Sequence, residues 1–469
     1  MGEAGTSLAD MLRLAEWGPR QLVTAINSRL SSQGRERLRL DPTAGYSWVR
    51  RGFRPRPPVP DVAAAVLTER LGYPVTVAQL WPGRPEPSIP ARSAASELDG
   101  AAGIDGLLHE LSRLGETAVT PQSPIAGACG ADLTAAVLDQ LRGAVVAARD
   151  RAGREYVLPE QVDLISAHVA ALRRLDDRHG GGALSLRYVT AELRSVIDLM
   201  EYASYGRQTG KRLLTIVADL AQLLGWLSFD SSRYGAAERY LLLSLGVCRA
   251  LGAGDRAANA IGMLSYVSAF AGHGPQAVRL AEAAARECGW GDPILRARLL
   301  GREATAAAAD GDLAQFRRQS QAAAVLLERH ATSDAPSFLY YLTPEQLAAE
   351  AGQALVVLAD RTTANRRRLL SEAAETLGGA VTAMAAPGPS AYPRSALLHT
   401  TFLARACLLR GDLDEAVTAM RTGLDLLAQV QSPRARSYLR GLRPALARRS
   451  RSPLVREFLD EFDEASSPV

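Results

Sequence analysis

Arginine is the residue type here with the clearest chemistry to offer. Residues 29–56 hold eight arginines against two acids, Glu36 and Asp41. A guanidinium is permanently charged and presents a planar fork of donors, so it binds phosphate and the edge of guanine bidentately. Inside this stretch, Thr43, Ala44, Ser47, Arg50 and Arg51 fall along one short segment that runs from Asp41 to Gly52. Thr and Ala methyls can meet a thymine methyl, and arginine can take a guanine edge. Arg54 and Arg56 sit on an arm stiffened by Pro55, Pro57 and Pro58, and Arg35, Arg37 and Arg39 lie on the preceding turn. Those five suit backbone phosphates, with the minor groove an alternative for Arg54 and Arg56. The charge is local: residues 1–84 carry 12 Arg and 7 acids, while the other 385 residues carry 42 Lys+Arg and 43 acids. The whole-chain charge of +4 therefore comes from the N-terminal part, the electrostatic footprint of a nucleic-acid binder.

The elements that must hold these residues are short helices. Residues 8–16 place Leu8, Met11, Leu12 and Ala15 on one face, and Pro19 opens a second helix with Leu22, Val23, Ile26 and Leu30 inward. Asp41 suits an N-cap, Pro42 the first helical position, and Gly52 a left-handed stop. On this register Tyr46, Val49 and Phe53 form the core stripe of the third helix, and Trp48 lies either on helix two or at the DNA surface. Asp61 begins a fourth helix that ends at Gly72, and Gln79-Leu80-Trp81 closes a helix-turn-helix domain spanning 1–81.

Residues 82–131 are rich in Pro, Gly, Ser and Ala and read as a linker with one short helix at 104–114. A helical connecting segment follows over 132–208. From 209 a helix–turn–helix repeat emerges, with turns at Tyr234-Gly235-Ala236-Ala237, Gly274-Pro275-Gln276-Ala277, Gly311-Asp312-Leu313-Ala314 and Gly411-Asp412-Leu413-Asp414-Glu415-Ala416. An irregular unit fits 344–384, with Ala373 or Ala374 at its crossing. Alanine belongs where two helix backbones approach closely, and stacked neighbours must cover the apolar faces. Residues 433–447 and 453–463 are expected to cap the array. The predicted fold is thus all-α: an N-terminal helix-turn-helix domain followed by a TPR-like helical-repeat solenoid. Trp226, Tyr234, Tyr266 and Asn259 are candidate effector-groove residues, although packing accounts for each of them too. His179-Gly180-Gly181-Gly182 reads as a helix end that lets the next helix pack closely.

Several function classes find no support. The chain has no HExxH, GxSxG, Walker loop or paired Cys/His set, and its six histidines share no metal-ligand spacing, so no enzyme, metal or cofactor is expected. Cys129, Cys248, Cys288 and Cys407 lie far apart, as buried thiols of a reducing compartment do. With no apolar leader and no run of 18 apolar residues, the expectation is a cytoplasmic, nucleoid-associated protein with no membrane contact.

Several strings together resemble a family. Trp17-Gly18-Pro19-Arg20-Gln21-Leu22-Val23-Thr24-Ala25-Ile26-Asn27, Trp48-Val49-Arg50-Arg51-Gly52, Pro57-Pro58-Val59-Pro60 and Glu69-Arg70-Leu71-Gly72 resemble actinomycete helix-turn-helix regulators of the Xre/Cro type with TPR-like bodies. In the body, Arg178-His179-Gly180-Gly181-Gly182, Ala221-Gln222-Leu223-Leu224-Gly225-Trp226 and Asp230 are similar as well. The resemblance implies a regulator, in some members a repressor, of sporulation and antibiotic production. Two departures stand out: Ser31 to Leu40 make a longer turn than the family's, and Gly45 sits in the first turn of helix three. The expected partners are double-stranded DNA, a second copy in a homodimer, and a peptide, small molecule or protein in the solenoid groove. The alternative is a scaffold that grips another regulator and whose helix-turn-helix reads no DNA sequence.

Overall fold

The computed structural model describes residues 8–15, 17–32, 38–56, 58–71, 75, 77–81, 103–118, 131–142, 150–289, 291–330, 335–362, 365–386 and 392–466. The protein is all-α, with two isolated bridges, Arg151 with Tyr205 and Tyr156 with Ser204, among the described residues. It divides into two compact units. One contains residues 1–89 together with 434–463, and the other contains 90–433 together with 464–469.

The first unit holds α1 (Leu8–Ala15), α2 (Pro19–Ser32), α3 (Ala44–Arg51), α4 (Val59–Leu71) and α5 (Val77–Leu80). Leu8, Met11, Leu22, Ile26, Trp48, Leu67 and Trp81 share its core. The turn before α3 is pinned from within: the Asn27 amide donates to the Leu40 carbonyl at 2.9 Å, and the Leu40 N–H donates back to Asn27 Oδ1 at 2.8 Å. Asp41 does not cap α3 directly. Its carboxylate accepts the Thr43 N–H at 2.7 Å, an Asx turn, and the helix begins at Ala44. Gly52 ends α3 in the left-handed region, φ 60° and ψ 20°.

The face α3 turns inward differs from the expected one. Gly45 and Trp48 are buried, whereas Tyr46 is 39% and Phe53 52% exposed. The reason is the approach of α3 to α2: a Cβ at Gly45 would stand 2.5 Å from the Pro19 carbonyl oxygen. Only glycine permits that contact, and it rotates Trp48, one turn on, into the core.

The second unit begins with α6 (Ile104–Ala118), α7 (Ala131–Arg142), α8 (Pro159–His179) and α9 (Ala183–Tyr202). α6 is longer than its sequence signal, and Leu108, Leu111 and Leu114 lie in the main core. Five helix pairs follow: α10 (Arg207–Asp230) with α11 (Tyr234–Leu251), α12 (Gly254–Phe270) with α13 (Gly274–Cys288), α14 (Pro293–Asp310) with α15 (Leu313–Arg329), α16 (Pro344–Arg361) with α17 (Arg366–Ala385), and α18 (Pro393–Arg410) with α19 (Leu413–Leu427).

Four of the five pairs cross at small residues. A Cβ at Gly225 would meet Leu241 at 2.7 Å and the Ala237 carbonyl at 3.3 Å, and one at Gly352 would meet Leu377 at 2.7 Å and the Ala373 carbonyl at 3.4 Å. In the second pair Ser265 donates its hydroxyl to the Ala277 carbonyl at 2.8 Å. Ala237, Ala277, Ala373 and Ala416 are all fully buried. The third pair departs from the expected register. Ala314 is exposed and the buried position is Phe316, because Asp312 caps the helix on the Gln315 N–H at 2.8 Å. Ala304 lies across the same pair and is buried as well. α20 (Pro433–Ala447) and α21 (Pro453–Ser466) form as expected, and residues 434–463 group with the N-terminal unit.

Among the described residues one helix is long and apolar enough to cross a membrane, α10, and 78% of its apolar window is buried inside the protein. The glycine run after α8 serves close packing. Gly180 has φ +82°, a Cβ there would stand 2.4 Å from the Gln431 carbonyl, and one at Gly181 would stand 2.6 Å from Leu227.

Gly45→Ala should destabilise the N-terminal unit by about 1–3 kcal/mol, the usual penalty of overpacking a close contact. Hydrogen exchange should show the loss in α2 and α3 with α10–α19 unchanged.

Candidate functional site

Two regions carry chemistry, one in each unit. In the first, Thr43 and Arg39 are exposed, Ser47 is half-buried and its hydroxyl donates to the Ala44 carbonyl at 2.8 Å, and Ala44 is half-buried. The two Thr43 hydrogen bonds hold the Asp41 carboxyl below its usual range, with Arg20 adding to the effect. Arg56 is exposed and Arg54 half-buried on the arm, which Trp81 braces by donating its indole N–H to the Phe53 carbonyl at 3.1 Å. Arg50 and Arg51 are the last two residues of α3. Arg35 and Arg37 lie outside the described residues. The outer side of α3 thus presents Thr43, Tyr46 and Ser47 toward its start. Tyr46, which the periodicity placed in the core, joins that side.

The second region is a cleft in the body of about 570 Å³, its open mouth included. It is lined by the first helices of the repeats (α10, α12, α14, α16 and α18), by α8, and by Phe338, Tyr340 and Tyr341 of the segment that precedes α16. Of the four residues the sequence offered for a groove, Trp226 lines it. Tyr266 lies beneath it, buried, with the Arg302 guanidinium 4.2 Å from its ring centre. Tyr234 and Asn259 are not part of the lining. Tyr234 packs edge-on against Phe229 at 5.4 Å, and Asn259 is buried within α12.

The polar residues in and around the cleft form three groups. At one end Arg298 and Arg302, successive turns of α14, both face Glu350 of α16. Arg298 donates to both carboxylate oxygens, Arg302 Nη1 reaches Oε2 at 3.4 Å, and Gln346 donates to Oε1 at 2.9 Å. Burial alone would raise the Glu350 carboxyl, but the two arginines overcome it and hold it at about 2. The arginines diverge. Burial lowers both, and Glu350 more than restores Arg298, whereas Arg302 stays lowered because Arg298 repels it. One carboxylate serves one of them fully.

At the other end Arg394 of α18 reaches Asp230 at 3.3 Å and Asp176 at 3.7 Å and lies 5.2 Å from the Trp226 ring centre. Tyr340 donates its hydroxyl to Asp177, whose carboxyl burial pushes up. On the third side Asp219 accepts both Arg173, at 3.4 Å, and Arg256, at 3.2 Å. The sequence signal for these residues was present but unread: Arg298, Arg302 and Glu350 occupy core-facing positions of Ala- and Leu-rich helices, where a charge needs a partner.

Among the described residues no three His, Cys, Asp or Glu side chains could share a metal ion. Cys248, Cys288 and Cys407 are free and buried, and burial pushes the Cys248 and Cys407 thiols up to about 12. Cys129 lies outside the described residues.

With this geometry in hand, comparison with known families is specific to the first unit. Residues 8–80 match the model of the SP15 N-terminal domain. The match begins with the first residue of α1 and ends with the last of α5. No curated protein matches the chain.

Glu350 stands below its ordinary value of 4.5, so its contribution to stability is present above that pH and is lost as pH falls from there toward about 2. Glu350→Gln should cost the body about 3–5 kcal/mol at neutral pH, because two buried arginines lose their counter-charge. In denaturant titrations across that acid window, wild type should lose more stability than the variant.

Proposed function

We propose that the chain is a DNA-binding transcriptional regulator whose helical-repeat body supplies dimer contacts and an effector cleft. The observation that carries this reading is the contact of Gly45 with the Pro19 carbonyl, which seats α3 across α2 and turns Thr43 and Ser47 outward. A helix held across its predecessor in this way suits the major groove, its start reading base edges and its flanks holding phosphates. Arg39 and Arg56 are exposed on either side of it, consistent with the local arginine excess. An eight-residue helix is about 12 Å long, enough for one half-site. Two copies on a two-fold operator would double that footprint. Repression of differentiation or secondary metabolism follows only from the resemblance to actinomycete regulators, and a nucleoid-associated location follows from the DNA role.

The body offers material for association. Of the exposed large apolar side chains described in it, seven lie between Tyr156 and Tyr202, among them Leu164, Leu184 and Tyr188. Light scattering of the purified chain should report a dimer, and a monomer at all concentrations removes the paired half-site from the proposal.

Selection of bound duplexes from random DNA should enrich a paired half-site, and affinity should fall steeply with salt. Arg39→Ala and Arg56→Ala should each lower the slope of log K against log salt by about 0.9, the signature of one lost phosphate contact. Arg50→Ala and Arg51→Ala should weaken binding without unfolding the body. Thr43→Val or Ser47→Ala should instead change which bases are selected, by about 1–3 kcal/mol at one position. A folded chain that enriches nothing at low salt is a scaffold, and isolation of its protein partner becomes the next step.

A further inference from the structure

We infer that the cleft of the body is a receptor for a small monocarboxylic acid with a flat aromatic body, its carboxylate seated on Arg302. This deepens the effector role proposed above.

The charge at that end of the cleft is unbalanced. Arg298 and Arg302 share the single carboxylate of Glu350, leaving one net positive charge among side chains no more than 6% exposed. Arg298 occupies both Glu350 oxygens and Gln346 takes Oε1 as well, so Arg302 is left with one hydrogen bond, at 3.4 Å. Its guanidinium lies over the Tyr266 ring at 4.2 Å, so its face is covered and its remaining N–H groups lie in the guanidinium plane. Arg302 is 3% exposed and still lines the cleft. A buried cation short of a counter-charge is costly, and an arriving anion recovers that cost.

The same surroundings select the anion. One net charge matches a monoanion. Asp177 also lines the cleft and would repel a second negative charge, which disfavours a phosphate monoester. A planar fork of donors favours a planar carboxylate. Beyond Arg302 the walls are Trp226, Phe338 and Tyr341 with Met263, surfaces on which a flat ring stacks.

The test is calorimetric titration of the full chain, without DNA, with benzoate and indole-3-acetate, their neutral amides, and phenyl phosphate. At least one acid should bind at millimolar concentration or below. Its amide should bind at least tenfold more weakly, and phenyl phosphate more weakly than benzoate. Arg302→Gln should weaken the acid at least tenfold and leave the amide unchanged. Should that variant fail to fold, Ser395→Phe places a ring on the cleft wall while leaving the arginine pair intact, and it should abolish binding of every probe. Equal affinity for acid and amide, an unaltered affinity in folded Arg302→Gln, full binding in Ser395→Phe, or no binding by either acid would each overturn the inference. Because no DNA is present, failed duplex selection with intact acid binding removes the regulator reading and keeps the receptor, and the converse removes the receptor alone.

Discussion

The body depends on one buried arginine. In a stack of helix pairs each repeat touches its neighbours, and nothing in that pattern joins the first repeat to the last. Arg394, at the start of α18, reaches back to Asp230 at the end of α10 and to Asp176 in α8, with its guanidinium against Trp226. Around it, Phe270 of α12 meets Phe402 of α18 at 6.4 Å, and Tyr340 donates to Asp177. These contacts turn an open array into a closed cup. Removing charges from water is expensive, and a single missing partner would strand the others. The grouping is therefore a device of geometry more than of stability: it fixes where the last repeats stand relative to the first.

The cup has an interior because the helix pairs are thin. Gly225, Gly352 and Ser265 allow second helices to approach so closely that no larger side chain fits at the first two. The apolar bulk then lies between successive pairs, and the first helices are free to carry Arg173-like charges on the inner side. Arg302 and Glu350 stand on α14 and α16 for that reason, and burial of their surroundings gives their imbalance its force.

Much of this plan was legible in the sequence and some of it was not, for identifiable reasons. The helices, the crossing alanines Ala237, Ala277, Ala373 and Ala416, and the glycine run after α8 followed from spacing and from the physics of close approach. Ala314 misled because its Gly-x-x-Ala spacing repeats that of Gly274-Pro275-Gln276-Ala277, while the buried register there belongs to Phe316. Tyr46 left the expected core stripe, and Trp48 took the inner of its two expected positions, because periodicity gives the width of an apolar stripe but not its angle. The angle was set by Gly45, which was readable only as a poor helix former until its neighbour, Pro19, was known. The assembly of the polar cleft escaped the sequence for a different reason: each buried charge is readable singly, but Arg298, Arg302, Glu350 and Arg394 are spread over nearly one hundred residues, and only the stacking of the helices brings them together.

The grouping of residues 434–463 with residues 1–89 bears on the order in which a growing chain matures. Asp176 leaves the ribosome long before Arg394, by roughly 10–45 s at about 5–20 residues per second. During that interval the apolar wall of α10 has no cover from α18, and the aspartates that Arg394 will neutralise stand in water. Helices α1–α5 likewise group with residues 434–463, which are synthesised more than 300 residues later. Neither unit is finished until residues beyond 430 have emerged. A nascent or prematurely stopped chain is therefore an open, protease-accessible species throughout, and the cell meets the basic helices in their final setting only in molecules that already possess a complete cup.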